Sequence, residues 1–240
     1  MTPAESRGPC PRPTVVLFDL FHTLVSVPSP ARAGELAVAE ILGVSREEWQ
    51  RRYYDEDILG RCLGRVCDPL EAMRGVAHTI DPFIPEERIV VAAASRRRRF
   101  TRGLVEIEPT ILAALDRLRG AGIRIALVSD AGADDVEAWA LSPLRERFNA
   151  TVFSYEIGIR KPAPAIYQRA LDALDAPAAD AMFVGDGGSD EHRGARAVGM
   201  RSVLVTRLIE RPTPETLAAR RAHADWEFED VPAFVAALGL

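Results

Sequence analysis

Hydrophobic and polar residues alternate with two different periods along this chain. Residues 14–18 form a short apolar, β-branched run that ends at Asp19, which predicts a strand buried on both faces. Between residues 28 and 102 the apolar positions instead recur at helical spacing, and no strand pattern interrupts them. The helical patterns cover 36–42, 49–59, 69–78 and 84–94. Ser45, with Glu48 three residues later, is typical of a capping box at a helix start.

From Glu108 onward, strand and helix patterns alternate. Strands are predicted at 123–128, 151–155, 181–184 and 202–206. Helices are predicted at 109–119, 134–140, 162–174, 190–198 and 231–238. Such alternation predicts βαβ units and a parallel sheet. The expected fold is therefore α/β, a Rossmann-like parallel sheet core with helices on both faces, plus an inserted all-helical cap. The core is assigned to 14–27 and 103–240, and the cap to 28–102.

Composition and charge narrow the class of protein. The chain has 240 residues, 48% of them hydrophobic, which suffices for a core domain and a smaller one. Its net charge is −5 with both signs interspersed, so no nucleic-acid or membrane partner is expected. No apolar run is long enough to span a bilayer. The basic run 96–99 is interpreted as a solvated helix end.

The cysteines and the start of the chain bear on location. Cys10, Cys62 and Cys67 show no metal-like spacing, which favours free thiols in a reducing cytoplasm. Residues 1–13 are rich in proline and polar side chains and lack an apolar segment. They are expected to form a disordered tail and not a signal peptide.

Polar residues follow several of the predicted strands. Asp19 ends the first strand, Ser129 and Asp130 follow the second, and Asp186 with Asp190 follows a later one. In an open parallel sheet, ligands bind beyond the carboxyl ends of the strands, so these groups should meet at one edge. Three clustered carboxylates repel one another unless a cation joins them. Oxygen ligands alone indicate Mg²⁺.

Lys161 is the only lysine among thirty basic residues. An ammonium is a compact point charge, whereas an arginine offers a wide planar fork. Because Pro162 follows at a predicted helix start, Lys161 is expected at a strand-to-helix junction, among carboxylates or phosphate oxygens. Asp19 would then be an ionised nucleophile that forms a covalent intermediate, and the hydroxyls of Thr23 and Ser129 would bind phosphoryl oxygens.

Several short stretches carry a resemblance to a known family when taken in order. They are Val-Val-Leu-Phe-Asp-Leu-Phe-His-Thr-Leu at 15–24, Leu-Val-Ser-Asp at 127–130, Arg-Lys-Pro at 160–162, Val-Gly-Asp-Gly-Gly-Ser-Asp at 184–190 and Gly-Ala-Arg-Ala-Val-Gly-Met at 194–200. In the residues of these motifs and in their spacing, the chain resembles the haloacid dehalogenase superfamily of aspartyl hydrolases. The resemblance covers nearly the whole chain, because the segment 28–102 stands where the family has its helical cap.

The resemblance implies roles for the matching residues. Asp19 would be the nucleophile, and Lys161 would stabilise the anionic site. The substrate-binding residues would be Thr23, Ser129 and Asp130. The Mg²⁺ ligands would be Asp19, Asp186, Asp190 and the backbone carbonyl of Phe21.

Phe21 departs from the family pattern. Family phosphatases carry there a second Asp, which protonates the leaving group and then activates water, a contribution of roughly 10²–10⁴ in rate. Three explanations stay open: an acid from the cap, a leaving group that needs no proton, or weak or absent hydrolysis. The cap candidates are Asp55, Glu56, Asp57 and His78. His22 is a further candidate, with packing under the cap as the alternative, and His192 is expected at the surface.

Three functions follow from these motifs. The first is a Mg²⁺-dependent hydrolase of a small phosphorylated metabolite through an aspartyl-phosphate on Asp19. The second is a metal-independent, dehalogenase-like hydrolase, which the aromatic residue at Phe21 favours and the acidic pair disfavours. The third is a non-enzymatic phosphate-binding member. A phosphonoacetaldehyde hydrolase is disfavoured because the cap has no lysine. A second anionic group could be held by Arg51, Arg52, Arg61 and Arg65, with a solvated arginine face as the alternative.

Overall fold

A computed structural model of the protein describes residues 8–209 and 212–240. Residues 1–7 of the predicted tail lie outside the described residues, and residues 8–13 contain no helix or strand. The described part of the chain forms one parallel sheet of six strands in the order β3-β2-β1-β4-β5-β6. The strands are β1 (Val15–Phe18), β2 (Arg124–Ser129), β3 (Ala150–Phe153), β4 (Ala181–Gly185), β5 (Arg201–Val205) and β6 (Trp226–Phe228). The α/β prediction is confirmed.

Helices cover both faces of this sheet because successive side chains of a buried strand point in opposite directions. Val16 and Phe18 of β1 pack on one face with α6 (Pro109–Gly120) and α11 (Val231–Ala237). Val15 and Leu17 pack on the other face with α8 (Pro164–Ala173) and α9 (Glu191–Ala197). Two further helices are α7 (Ser154–Ile157) and α10 (Pro214–Arg221). The sequence pattern did not predict α7, α10 or β6.

The segment 28–102, which we call the cap, is helical throughout its regular structure. It contains α1 (Pro30–Ala33), α2 (Val38–Leu42), α3 (Arg46–Gln50), α4 (Pro69–Ile80) and most of α5 (Glu86–Val105). These helices enclose a core of their own, built around Trp49, Tyr53, Met73 and Ile89. The hydroxyl of Ser45 accepts the amide of Glu48 at 3.0 Å, which confirms the predicted N-cap of α3.

Two predicted elements differ from the structure. The helix expected at 134–140 is absent, and that stretch contains turns and a short 3₁₀ segment, Trp139–Leu141. Asp134 and Asp135 do not start a helix because their carboxylates bind arginines of the cap. The helix expected from Pro162 begins at Pro164 instead, after a cis Lys161–Pro162 peptide bond. No helix in the described ranges combines the length and apolar character needed to cross a membrane.

Candidate active site

The first strand places Asp19 at the centre of the carboxyl edge of the sheet. Phe18 is in register with Leu127 of β2 and Val184 of β4, so Asp19 lies between the ends of both neighbouring strands. Its backbone amide donates to Val184 O at 2.9 Å. Asp19 is only 5% exposed, and its side chain accepts a hydrogen bond from Thr23 Oγ1 at 2.9 Å. The predicted nucleophile is thus held in a fixed orientation at the sheet edge.

Lys161 joins two carboxylates below this edge. Its Nζ donates to Asp19 Oδ1 and to Glu191 Oε2, each at 2.6 Å. Burial by itself lowers the pKa of Lys161, but the charges of Asp19 and Glu191 outweigh burial, and the pKa lies well above its usual value. The ammonium is therefore charged at neutral pH. The expectation of an ammonium among carboxylates agrees with this geometry.

Three buried carboxylates, Asp19, Asp186 and Glu191, bring ligand oxygens within 4.8 Å of one another. Burial, and then the charges of Asp19 and Asp186, raise the pKa of Glu191 despite the ammonium of Lys161. Each carboxylate already accepts protein donors. Gly187 N donates to Glu191 Oε1 at 2.7 Å, and Gly188 N donates to Asp186 Oδ1 at 3.0 Å. An added cation would relieve the remaining repulsion.

The structure corrects the prediction for Asp190. Its side chain is exposed and pairs with Arg193 at 2.9 Å, away from the cluster. Ser189 and Asp190 both adopt left-handed backbone conformations, with φ of 53° and 51°. This turn brings the next residue, Glu191, inward at the start of α9, where its side chain is fully buried. Glu191 therefore occupies the place that the sequence assigned to Asp190.

The second strand supplies a hydroxyl and a carboxylate beside this cluster. Ser129 Oγ is buried and has no hydrogen-bond partner in the described part of the chain. A buried hydroxyl without a partner is costly, so a ligand oxygen or water fits there. Asp130 Oδ1 accepts the backbone amide of Lys161 at 2.9 Å. Asp130 therefore fixes the loop that carries Lys161.

The donor set fits a hard divalent cation. Asp19, Asp186 and Glu191 offer only oxygen atoms, and they lie close together out of solvent. Mg²⁺ binds through one or a few carboxylates and keeps positions for water and substrate oxygens. The hydroxyl of Ser129 lies at the end of the neighbouring strand β2 and has no hydrogen-bond partner in the described residues. It can serve as a neutral donor to an anion. Both the cation and the phosphoryl group expected from the sequence are compatible with these residues.

Phe21 and His22 follow the nucleophile in a tight turn. The Phe21 ring packs edge-on against Phe100 of α5, with centroids 5.6 Å apart, so it forms an apolar contact between the core and the cap. His22 has φ of 62°, and its Nδ1 lies 3.3 Å from the carbonyl oxygen of Leu208. Its ring is exposed and engaged with the loop after β5. His22 thus contacts a loop of the core, and this geometry differs from the predicted packing under the cap.

The candidate acids of the cap are either exposed or already hydrogen-bonded. Asp55, Glu56 and His78 are exposed. Asp57 is buried, but its two oxygens accept the amides of Arg61 and Cys62 at 2.9 and 3.0 Å. Asp57 is therefore committed to the start of a 3₁₀ turn.

A buried ionic network joins the cap to the core beside the site, and we call it the latch. Its members are Tyr53, Arg61, Arg96, Asp134 and Asp135. Arg61 Nη1 lies 2.6 Å from Asp134 Oδ1, and Arg96 Nη1 lies 2.9 Å from Asp134 Oδ2. Arg96 also pairs with Asp135. Burial opposes ionisation, but the two arginines outweigh it and lower the pKa of Asp135.

The latch corrects two expectations about arginines. Arg96 was assigned to a solvated helix end, yet it lies inside α5 and is 2% exposed. Arg61 was assigned to a solvated face or to a second anion, yet its charge is taken up by core carboxylates. Arg51 and Arg52 pair with cap glutamates, and Arg65 is exposed.

His192 also differs from its prediction. It was expected at the surface, but it is 2% exposed and lies next to Ser202, 2.5 Å from Nδ1 to Oγ. Burial lowers its pKa to about 4, so the imidazole is neutral at physiological pH. It supports the packing of α9 beneath the site.

With this geometry described, comparison with known proteins gives the family. A family model described as haloacid dehalogenase-like hydrolase matches residues 13–199. The chain belongs to the haloacid dehalogenase-like hydrolases.

The relatives of this chain include proteins named as phosphatases. A phosphoserine phosphatase from Thermus thermophilus is 33% identical over 50% of this chain and 46% of the relative. The chain thus spans about half the length of this phosphoserine phosphatase. The pyrophosphatase PpaX of Bacillus cereus is 28% identical over 81% of this chain and 84% of its own length. A solved structure of a dehalogenase shares the fold, with a TM-score of 0.67 and 19% sequence identity. The match covers 96% of this chain and 98% of the dehalogenase.

Sequence analysis of this haloacid dehalogenase-like hydrolase missed Glu191, Arg220 and the latch. Glu191 and Asp190 are adjacent carboxylates, and only the backbone turn decides between them. Gly132 carries a weak signal for the latch, because an added Cβ there would lie 2.5 Å from Asp134 Oδ1 and 2.7 Å from Arg61 Nη1. Arg220 carries no sequence signal, because it lies on a polar helix far along the chain.

Proposed function

We propose that this hydrolase is a Mg²⁺-dependent phosphohydrolase that acts on a small phosphorylated metabolite through an aspartyl-phosphate on Asp19. The observation that best supports this proposal is the position of Asp19, which is buried and oriented by Thr23 and Lys161. Its carboxylate also lies in a cluster with those of Asp186 and Glu191. The names of the phosphatase relatives support the same reaction class. A cytoplasmic location is also proposed, since Cys10, Cys62 and Cys67 are all free thiols.

The metal would be held by Asp19, Asp186 and Glu191, together with the backbone carbonyl of Phe21. When bound, Mg²⁺ would supply positive charge to the oxygens of the transferring phosphoryl group. Ser129 supplies a neutral donor at the same edge, and its partnerless hydroxyl supports a role in binding that group.

The chain's own residues account for two steps. A carboxylate oxygen of Asp19 attacks phosphorus, the new O–P bond forms, and the bond to the leaving group breaks with its electron pair on the leaving oxygen. Water then attacks the phosphorus, and the O–P bond to Asp19 breaks with its electron pair on the carboxylate. The proton of the water leaves with the inorganic phosphate or passes to solvent. Lys161 remains charged throughout and balances the negative charge at Asp19.

Phe21 sets the range of substrates. It cannot donate a proton to the leaving oxygen, and of the cap candidates Asp57 already accepts two backbone amides while the other three are exposed. A leaving group that departs as a stable anion does not need that proton. We therefore propose acyl phosphates or similarly activated phosphate esters as the preferred substrate class.

The first test measures phosphate release from acetyl phosphate and p-nitrophenyl phosphate, with Mg²⁺ and with EDTA. We expect metal-dependent release that is lost in Asp19→Asn. Release that is unchanged in EDTA, or that persists in Asp19→Asn, would contradict the proposal.

A second candidate is a metal-independent hydrolase that forms an alkyl ester on Asp19 and releases halide. One specific observation favours it: Lys161 and Arg220 already pair with all three carboxylates of the cluster. Phe21 fits this chemistry because a halide departs without a proton. Halide release from 2-haloacids in EDTA, without phosphate release in the first test, would support this candidate over the phosphohydrolase.

A further inference from the structure

Arg220 places a second cation against the carboxylate cluster. Its Nη1 donates to the backbone oxygen of Asp186 at 2.7 Å and also to Asp186 Oδ2. Asp186 Oδ1 is meanwhile held by the amide of Gly188. The guanidinium therefore occupies the free side of a carboxylate that the proposed metal site requires.

The stem of Arg220 is also fitted to this position. Gly187 has φ of 84°, and a Cβ added there would lie 2.8 Å from Cβ and Cγ of Arg220. The aliphatic part of the side chain thus crosses directly over Gly187, in the loop between Asp186 and Glu191. A larger residue at 187 would displace the arginine from the cluster.

The helix that carries Arg220 is held loosely on the core. None of the residues of α10 is buried, and only Leu217 and Arg220 are half-buried. Segments with few buried contacts open at low free-energy cost. Among the described residues, the contact between Arg220 and Asp186 is one of two ionic ties that α10 makes to the core, and the other joins Arg221 to Glu227 of β6.

We propose that Arg220 is a displaceable counter-charge that competes with Mg²⁺ for Asp186 and thereby lowers the metal affinity of the site. This inference rests on the proposed function, since it takes the cluster as a metal site. With Lys161 and Arg220 in place, two cations already face three carboxylates. A third positive centre must then bind beside a guanidinium, and like charges this close repel strongly in a partly buried site.

Release of α10 should therefore accompany metal binding. If Mg²⁺ displaces the guanidinium from Asp186, the helix loses one of these two ionic ties to the core, and the pair between Arg221 and Glu227 remains. By linkage, a change that strengthens the contact between Arg220 and Asp186 must weaken Mg²⁺ binding by the same factor. The metal site and this surface helix would be coupled even though the helix contributes no ligand.

The test is calorimetric titration of the full chain with Mg²⁺ alone, comparing wild type, Arg220→Gln and Arg221→Gln. Arg221 is the matched control because it lies on the same helix, carries the same charge and pairs with Glu227 instead. We expect Arg220→Gln to bind Mg²⁺ at least about tenfold more tightly than wild type, because one repelling charge is gone. Arg221→Gln should stay within about twofold of wild type, because its charge is more distant and screened.

Hydrogen exchange of residues 214–221 gives a second readout that does not depend on activity. Added Mg²⁺ should speed exchange in this helix in the wild type and should have no effect on it in Arg220→Gln. Equal or weaker Mg²⁺ binding by Arg220→Gln would overturn the inference and leave the proposed metal site intact. Absence of Mg²⁺ binding in all three proteins would instead overturn the metal-dependent function, and the inference with it.

Discussion

Phe21 is the residue at which this protein departs most from what a phosphatase needs. Its ring closes an apolar contact with Phe100, while the carboxylates around Asp19 and the ammonium of Lys161 are in place. The site thus combines an oriented nucleophile with no acid for the leaving group.

Phe21→Asp should restore that acid. On alkyl phosphates, whose leaving oxygens need a proton, we expect a gain of roughly 10²–10⁴ in kcat/KM. On acetyl phosphate the gain should be small. Phe21→Asn is the matched control, since it has a similar size and no proton to give. Equal rates for both variants on alkyl phosphates would mean that the missing acid does not limit the reaction.

Cys62 and Cys67 should differ sharply in reactivity with thiol reagents. Burial, and then the charge of Asp135, raises the pKa of Cys62 from 9.0 to about 12. At pH 8 its thiolate should be about a thousandfold scarcer than that of an ordinary thiol. Cys67 is exposed. Iodoacetamide followed by mass spectrometry should modify Cys67 first, and early labelling of Cys62 would contradict the buried interface.

At the scale of single elements, α9 is the helix on which the site depends most. It begins at Glu191 and packs closely on the start of α8. A Cβ added at Gly194 would lie 2.6 Å from Pro162 O and 2.7 Å from the Tyr167 ring. Only glycine lets the helix approach so near.

Gly194→Ala should therefore push α9 away from α8. We expect a loss of about 1–3 kcal/mol in the free energy of unfolding, the usual range for overpacking a core. Gly120→Ala is the matched control, because an added Cβ there meets nothing within 4 Å. Urea denaturation of both variants measures the difference. Equal urea midpoints for the two variants would show that the added methyl group at residue 194 is accommodated without loss of stability.

The elements also show what the sequence could predict. Runs such as 14–18 are short and apolar on both faces, which favours a covered strand, and β1 to β5 followed from this pattern. The predicted helix at 134–140 failed because Asp134 and Asp135 bind arginines that are distant in sequence. Asp19 and Ser129 could be placed from strand ends, and Lys161 from its position before Pro162 and from its being the only lysine. Glu191 depends on two left-handed residues that no periodicity reveals.

At the scale of the whole molecule, the latch holds the cap against the core. Its two arginines and two aspartates are almost wholly out of solvent, with Tyr53 O–H 2.5 Å from Asp134 Oδ2. Removing one partner of a buried ionic group leaves an uncompensated charge behind, which costs far more than loss of an exposed pair.

Arg96→Met should lower the free energy of unfolding by about 3–5 kcal/mol, because Asp135 and Asp134 lose a buried partner. Arg97→Met is the matched control on the same helix. Arg97 pairs with Glu137 in solvent, with 66% of its side chain exposed, and its loss should cost less than about 1 kcal/mol. Denaturant titration compares the two. Similar losses for both variants would show that the latch carries little stability.

The single lysine has a practical consequence for observing this molecule at work. Lys161 is the chain's only ε-amine, and its side chain is 3% exposed beneath the nucleophile. Apart from an α-amino terminus, an amine-directed label has nowhere else on the chain to react. Because such labels react with the neutral amine, the rate of ε-amine modification measures how often the site opens to solvent and allows Lys161 to lose its proton.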